Sequence, residues 1–182
     1  MNKSTSIIFE AICSPFFKER IAEINDYLYN RKQEVQIRDL ILFYITKNAP
    51  YDALSEFPKF GKGAVDLSMF EGTQTLATVE FKFQYPRDCL KQGVIEAFIK
   101  DINRAVDTQT THFVLIIQER EQKESLRCDL KYMHLNQKYH ETLLNKFESH
   151  IGFRKNHNKY VEHIKVDGLI DSVYTFVVYE FN

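Results

Sequence analysis

The apolar positions of the chain recur first at helical and then at strand spacing. Ser14-Pro15 has the form of a helix cap followed by a first helical residue, and FFKERIAEINDYLYN then sets Phe17, Ile21, Ile24 and Leu28 on one face. EVQIRDLILFYITKN repeats the spacing with Val35, Ile37, Leu40, Ile41, Tyr44 and Ile45 until Ala49-Pro50 closes it. SEFPKFGKGA reads as a loop. After it AVDLSMF alternates as a strand, Glu71-Gly72-Thr73 supplies a turn and LATVEFKFQ alternates again, so a β-hairpin is predicted. Asp88 can cap a further helix in which Leu90, Val94, Phe98, Ile102 and Val106 recur every four residues. The unbroken apolar run of HFVLIIQ fits a strand buried on both faces, as in a parallel pair. Helical material is expected around LKYMHLNQKYHETLLNKFESH, and VEHIKV with VYTFVVYEF would form a last hairpin closing one sheet edge. The pattern predicts an α/β chain, a central mixed sheet flanked by helices, in a single domain over residues 1–182.

Composition narrows the class. At 182 residues, with 44% hydrophobic and 27% charged, the chain has the makings of one globular core, and it carries no repeat, low-complexity tract or linker. No apolar run approaches the roughly 18 residues that span a bilayer, and the start MNKSTSIIFEAICSPFF lacks a signal-peptide pattern. The expectation is a cytoplasmic protein without a membrane partner. Cys13, Cys89 and Cys128 are odd in number and widely spaced, which suggests buried thiols rather than a disulfide framework. Cys128, His134 and His140 match no common zinc spacing, so no zinc is expected. A net charge of -1 gives no global attraction to nucleic acid, and any DNA contact must use local basic patches. Lys59 and Lys62, with Gly61 and Gly63, form one such patch just before Asp66. Arg154 and Lys155, with His157 and Lys159, form a second stretch that reads equally well as an ordinary solvated loop.

The chemistry lies in the predicted hairpin. Thr78, Glu80, Lys82 and Gln84 share one face of their strand, while Val79, Phe81 and Phe83 point to the other. Taken alone, Glu80 and Lys82 would be a solvated charge pair. Asp66 changes that reading, because a hairpin centred on Thr73 sets it directly opposite Glu80, with Cβ atoms about 5 Å apart. Two carboxylates so close repel each other unless a proton or cation lies between them, and a divalent metal is the natural occupant. Lys82 would put an ammonium beside the same pocket, where it could orient the attacking water or help deprotonate it.

At these residues the chain resembles the PD-(D/E)XK, or restriction-endonuclease-like, nucleases. Asp66, then Glu80-Phe81-Lys82, matches the D...(D/E)xK signature set across a hairpin in a helix, hairpin, helix, strand order. DINRA followed by FVLII is similar to the helix and strand that follow the motif. The match covers roughly residues 34–118, leaving 120–182 as a helical and hairpin elaboration, and Val65 stands where the family usually has Pro. The resemblance implies a restriction-endonuclease-like core in which Asp66, Glu80 and the Phe81 carbonyl ligate Mg²⁺, with Mn²⁺ as substitute and no organic cofactor. Lys82 would serve the attacking water, and hydrolysis of DNA would proceed in line at phosphorus without a covalent intermediate. Many members add a glutamate from the preceding helix, for which Glu34 is the first candidate and Asp39 the second, the spacing itself not deciding between them, and either could be an ordinary surface or capping charge. Gln92 resembles a position whose polar side chain often reaches the site. The implied activity is that of a small type II restriction-like endonuclease, most simply a homodimer if both strands are cut. The runner-up is a catalytically silent or regulatory module of the same fold acting through protein contacts; the intact Asp, Glu and Lys set argues for the enzyme.

Overall fold

In the computed structural model, which describes residues 1–28, 31–59, 63–107, 109–120, 137–154, 156–168 and 171–182, three helices precede the sheet: α1 (Lys3–Cys13), α2 (Pro15–Tyr27) and α3 (Glu34–Asn48). Ser14 joins the first two. Its Oγ donates to the Ala11 carbonyl and accepts from the Phe17 N–H, ending α1 and capping α2 with Pro15 at the first position. Helix α1 goes beyond the sequence expectation. Asn2 Oδ1 accepts from the Thr5 N–H at 2.8 Å to start it, and Ile7, Ile8, Ala11 and Ile12 bury its inner face.

The rest runs β1 (Asp52–Lys59), β2 (Gly63–Glu71), β3 (Gln74–Gln84), a 3-10 helix (Pro86–Leu90), α4 (Gln92–Asp107), β4 (His112–Arg120), α5 (Gln137–Arg154), β5 (His157–Val166) and β6 (Ser172–Phe181). Among the described residues, six strands form one mixed sheet of order β1-β2-β3-β4-β6-β5, in which only β3 and β4 are parallel. The crossover between those two carries α4. Every residue of β4 is buried, as its unbroken apolar run predicts. The late hairpin does close an edge, with β5 outermost and β6 inside it. The stretch 130–136 of the expected last helix lies outside the described residues.

Two expectations need correction. Residues 55–59 of the stretch read as a loop belong to β1 and residues 63–64 to β2, and the loop-like residues of β1 are tolerated because the strand lies at the sheet edge, where Pro58 needs no ladder partner on its outer side and Glu56 takes a left-handed φ of 51°. Asp88 does not cap α4. It sits inside the 3-10 helix and accepts from the Tyr85 N–H, so that α4 begins later, at Gln92.

Strand alternation divides the core. Val79, Phe81 and Phe83 pack with Val114, Ile116, Phe176 and Val178 beneath α1 to α3. Phe113, Leu115, Ile117 and Val177 pack with Phe98, Ile102 and Phe147 beneath α4 and α5. Glu80 and Lys82 therefore face the α4 side. The β2/β3 hairpin pairs Glu71 with Gln74 and Phe70 with Thr75, and then Met69 with Ala77, Ser68 with Thr78 and Leu67 with Val79. Leu76 is the extra residue of a bulge. Continued by one position, the inner register sets Asp66 opposite Glu80. Among the described residues no helix is long and apolar enough to cross a membrane.

Helix α1 is tied to the sheet through buried polar groups. Thr5 Oγ1 donates to Glu180 Oε2 at 2.6 Å and lies 2.9 Å from His112 Nε2, whose other ring nitrogen faces Thr111 Oγ1. Burial pushes His112 down to about 4 from 6.5, against the pull of Glu180. Burial works against ionisation of Glu180 too, but the Thr5 hydroxyl and the Asn2 N–H hold it below the usual carboxylate range. Between pH 6.5 and 4 the unfolded chain takes up a proton at His112 that the folded one refuses, so this part of the stability is lost as pH falls. Glu180 adds a loss of the same sign at still lower pH. Urea unfolding of wild type and His112→Gln at pH 7 and pH 5 should isolate this share as a difference of about one proton in their pH dependence, and an identical pH dependence would exclude His112 as its source.

Candidate functional site

Beyond the Leu67–Val79 pair, β3 is joined on its β2 side by carboxylates. The Phe81 N–H donates to Asp66 Oδ2 at 2.7 Å, and the Phe83 N–H donates to Glu34 Oε2, also at 2.7 Å. In an extended strand the N–H and C=O of one residue point to the same edge, so the Phe81 carbonyl opens toward Asp66. Glu34 reaches this edge because it stands in the first turn of α3, and it takes the place that its spacing left open between it and Asp39. Asp39 instead pairs with Arg38 at 2.9 Å and is more than half exposed.

Glu80 is the buried member of the acid pair, at 1% exposure. Its Oε2 accepts from Arg104 Nη2 at 2.7 Å, and its Oε1 is buried without a hydrogen-bond partner. Burial, and then the adjoining Asp66 carboxylate, push the Glu80 carboxyl up to about 8, against the pull of Arg104. Glu34 also lies above its ordinary range through burial, although the Phe83 N–H and Lys82 oppose the shift. Lys82 Nζ sits 2.5 Å from Asp101 Oδ2. Helix α4 thus presents Asp101 and Arg104, three positions apart, to Lys82 and Glu80, two positions apart on β3.

Asp101 and Arg104 were not among the expected site residues. A signal existed: an acid and a base on one face of an amphipathic helix, next in the chain after a strand face carrying a base and an acid. Gln92 is exposed and donates to Glu96 Oε1 one turn along α4, contacting none of the carboxylates above. Lys62 and Lys155 lie outside the described residues, as do Cys128, His134 and the side chains of Lys59 and Arg154. Lys159 is paired with Glu148 at 2.7 Å, and His140 faces Glu119 at 2.9 Å. Of the expected buried thiols, Cys89 is buried and Cys13 partly so.

The donor set suits a small, hard cation. Magnesium needs only one or two carboxylates and fills its remaining positions with water and phosphate oxygens. Asp66, the unpartnered Glu80 oxygen and the Phe81 carbonyl are oxygen donors of that kind, and burial first and the adjoining Asp66 second raise the Glu80 carboxyl, a strain that a bound cation would relieve. Among the described residues no three His, Cys, Asp or Glu side chains gather into a metal-holding group, so the set amounts to two acids and a carbonyl. Protein-family models, curated proteins and solved structures give no match to this chain.

Proposed function

We propose that the chain is a divalent-metal-dependent nuclease with a restriction-endonuclease-like core, hydrolysing phosphodiester bonds of DNA. The observation that carries this reading is the acid pair: Asp66 and Glu80 meet across the hairpin, and one oxygen of a buried carboxylate has no partner. Asp66, Glu80 and the Phe81 carbonyl would hold Mg²⁺, or Mn²⁺ in its place. The bound metal would act as a Lewis acid at the scissile phosphate and lower the pKa of the attacking water. Lys82 is held by Asp101 as a hydrogen-bond donor, which suits it to orient that water or to support charge developing on the phosphate. Glu34 secures the β3 edge through the Phe83 N–H and so fixes the backbone that carries Lys82 and the Phe81 carbonyl. The sheet, with α1 to α3 on one face and α4 and α5 on the other, agrees with the helix, hairpin, helix, strand order on which the resemblance rests.

One observation favours the second reading, a catalytically silent module: Arg104 already supplies Glu80 with a positive partner. Incubating pure protein with supercoiled plasmid, genomic DNA and RNA, with and without Mg²⁺, separates the two. The nuclease reading expects Mg²⁺-dependent nicking or linearisation of DNA that disappears in Glu80→Gln. Plasmid left intact by wild-type protein at every Mg²⁺ and Mn²⁺ concentration would leave only the module.

A further inference from the structure

The acid pair is already touched by a cation to which the proposed reaction gives no task. Arg104 Nη2 is 2.7 Å from Glu80 Oε2, and its side chain, 45% exposed, reaches inward from the rim to a carboxylate that is nearly sealed. Metal ligation at Glu80 would place a divalent cation beside that guanidinium, and the two would repel each other and compete for the same carboxylate. Lys82, the other base of the pocket, is bonded to Asp101 and need not move. Arg104 is the base whose exposed side chain can swing outward without opening the core.

From this geometry, and resting on the metal-site reading above, we infer that Arg104 is the built-in counter-cation of the Asp66 and Glu80 pair, which a divalent metal displaces and which then turns to the phosphate backbone of the substrate. A guanidinium at the rim is well matched to that second task, since its planar donors fit phosphate oxygens in a bidentate way. Metal loading is then held back in the free protein and favoured when a polyanion draws Arg104 off Glu80. By linkage, metal raises duplex affinity by the same factor.

Calorimetric titration with Mn²⁺ alone, in the absence of DNA, tests the first half. Arg104→Gln should bind Mn²⁺ about tenfold more tightly than wild type, or better, because a charge-assisted bond no longer competes, while Arg104→Lys should stay close to wild type. Duplex binding in Ca²⁺ tests the second half. Arg104→Gln should lose affinity, and its salt dependence should fall by about one phosphate contact. Unchanged or weaker Mn²⁺ binding by Arg104→Gln overturns the counter-cation role, and an unchanged salt slope overturns the hand-off to phosphate. Wild-type binding that Asp66→Asn abolishes and Arg104→Gln fails to improve removes this inference and leaves the metal site standing. Absence of Mn²⁺ binding from wild type, Arg104→Gln and Arg104→Lys alike removes the metal reading and this inference together.

Discussion

Replacing Lys82 with alanine is expected to lower the single-turnover cleavage rate a hundredfold or more, on the scale of losing a positioned proton-transfer or charge-stabilising group. Folding should survive. Lys82 is partly exposed and its partner Asp101 is a quarter exposed, so the lost pair should cost about 1 kcal/mol or less. Metal affinity and duplex affinity in Ca²⁺ should hardly change, because the lysine acts mainly in the transition state. Asp101→Asn is the companion variant. It leaves the ammonium in place with a weaker acceptor, so the rate should fall less than in Lys82→Ala while duplex affinity holds. Wild-type cleavage by a folded Lys82→Ala protein would show that the lysine only ties β3 to α4, and the nuclease reading would lose its catalytic cation.

The acid pair should make the metal-free protein less stable than it needs to be. Glu80 titrates near 8 in the folded protein against an ordinary 4.5, with burial as the main cause and Asp66 next. Between those values the folded chain keeps a proton that the unfolded chain has released, so stability falls as pH rises through the window. The slope from this one group is at most about 1.4 kcal/mol per pH unit. Glu80→Gln removes the ionisable carboxyl and should gain on the order of 1 kcal/mol or more near pH 8, while abolishing cleavage. Chemical denaturation of both proteins from pH 5 to 8.5, with and without Mg²⁺, checks it. Mg²⁺ should restore wild-type stability at high pH and leave Glu80→Gln unmoved. If the variant is instead less stable across the whole range, the pair is a structural hydrogen-bonding element and its repulsion is not held for function. The His112 and Glu80 effects have opposite sign and their windows overlap between pH 4.5 and 6.5, where they offset each other, so metal-free wild-type protein should be most stable there and lose stability above it.

What the sequence made legible follows from how local the signals are. Helices α2 and α3 announce themselves through Ser14-Pro15, Ala49-Pro50 and apolar residues at 3.6 spacing, and the hairpin through strict alternation. Strand β1 is hidden because an edge position forgives Pro58 and a left-handed Glu56, features that elsewhere mark a loop. Asp88 looks like a helix cap because it does cap a turn, the short 3-10 helix before α4. Asp66 and Glu80 could be paired by centring the hairpin on Thr73, although the turn lies at Gly72-Thr73 and it is the bulge at Leu76 that restores that register. The acid and base of Asp101 and Arg104 on one helix face were a signal that pattern alone could not separate from a solvated pair, since its meaning depends on α4 crossing the β3 face, and that packing is not written locally in either element. The choice between Glu34 and Asp39 likewise depended on the angle at which α3 approaches the edge of β3.

The bulge at Leu76 imposes a counting rule on this hairpin. Across a two-residue turn such as Gly72-Thr73, facing residues of an unbulged hairpin differ by an odd number, as 71 and 74 do. Asp66 and Glu80 differ by an even number, so an odd number of inserted residues is required for them to meet. Leu76 supplies that one residue. Deleting Leu76 erases the bulge with it, so the acids stay opposite each other, whereas adding one residue within a strand, with neither a new bulge nor a longer turn, sends one carboxylate to the face packed under α1 to α3. Length changes in this hairpin are therefore expected to be tolerated in even steps, or in odd steps that create or erase a bulge or alter the turn, and the spacing of the two acids can drift in evolution in the same way.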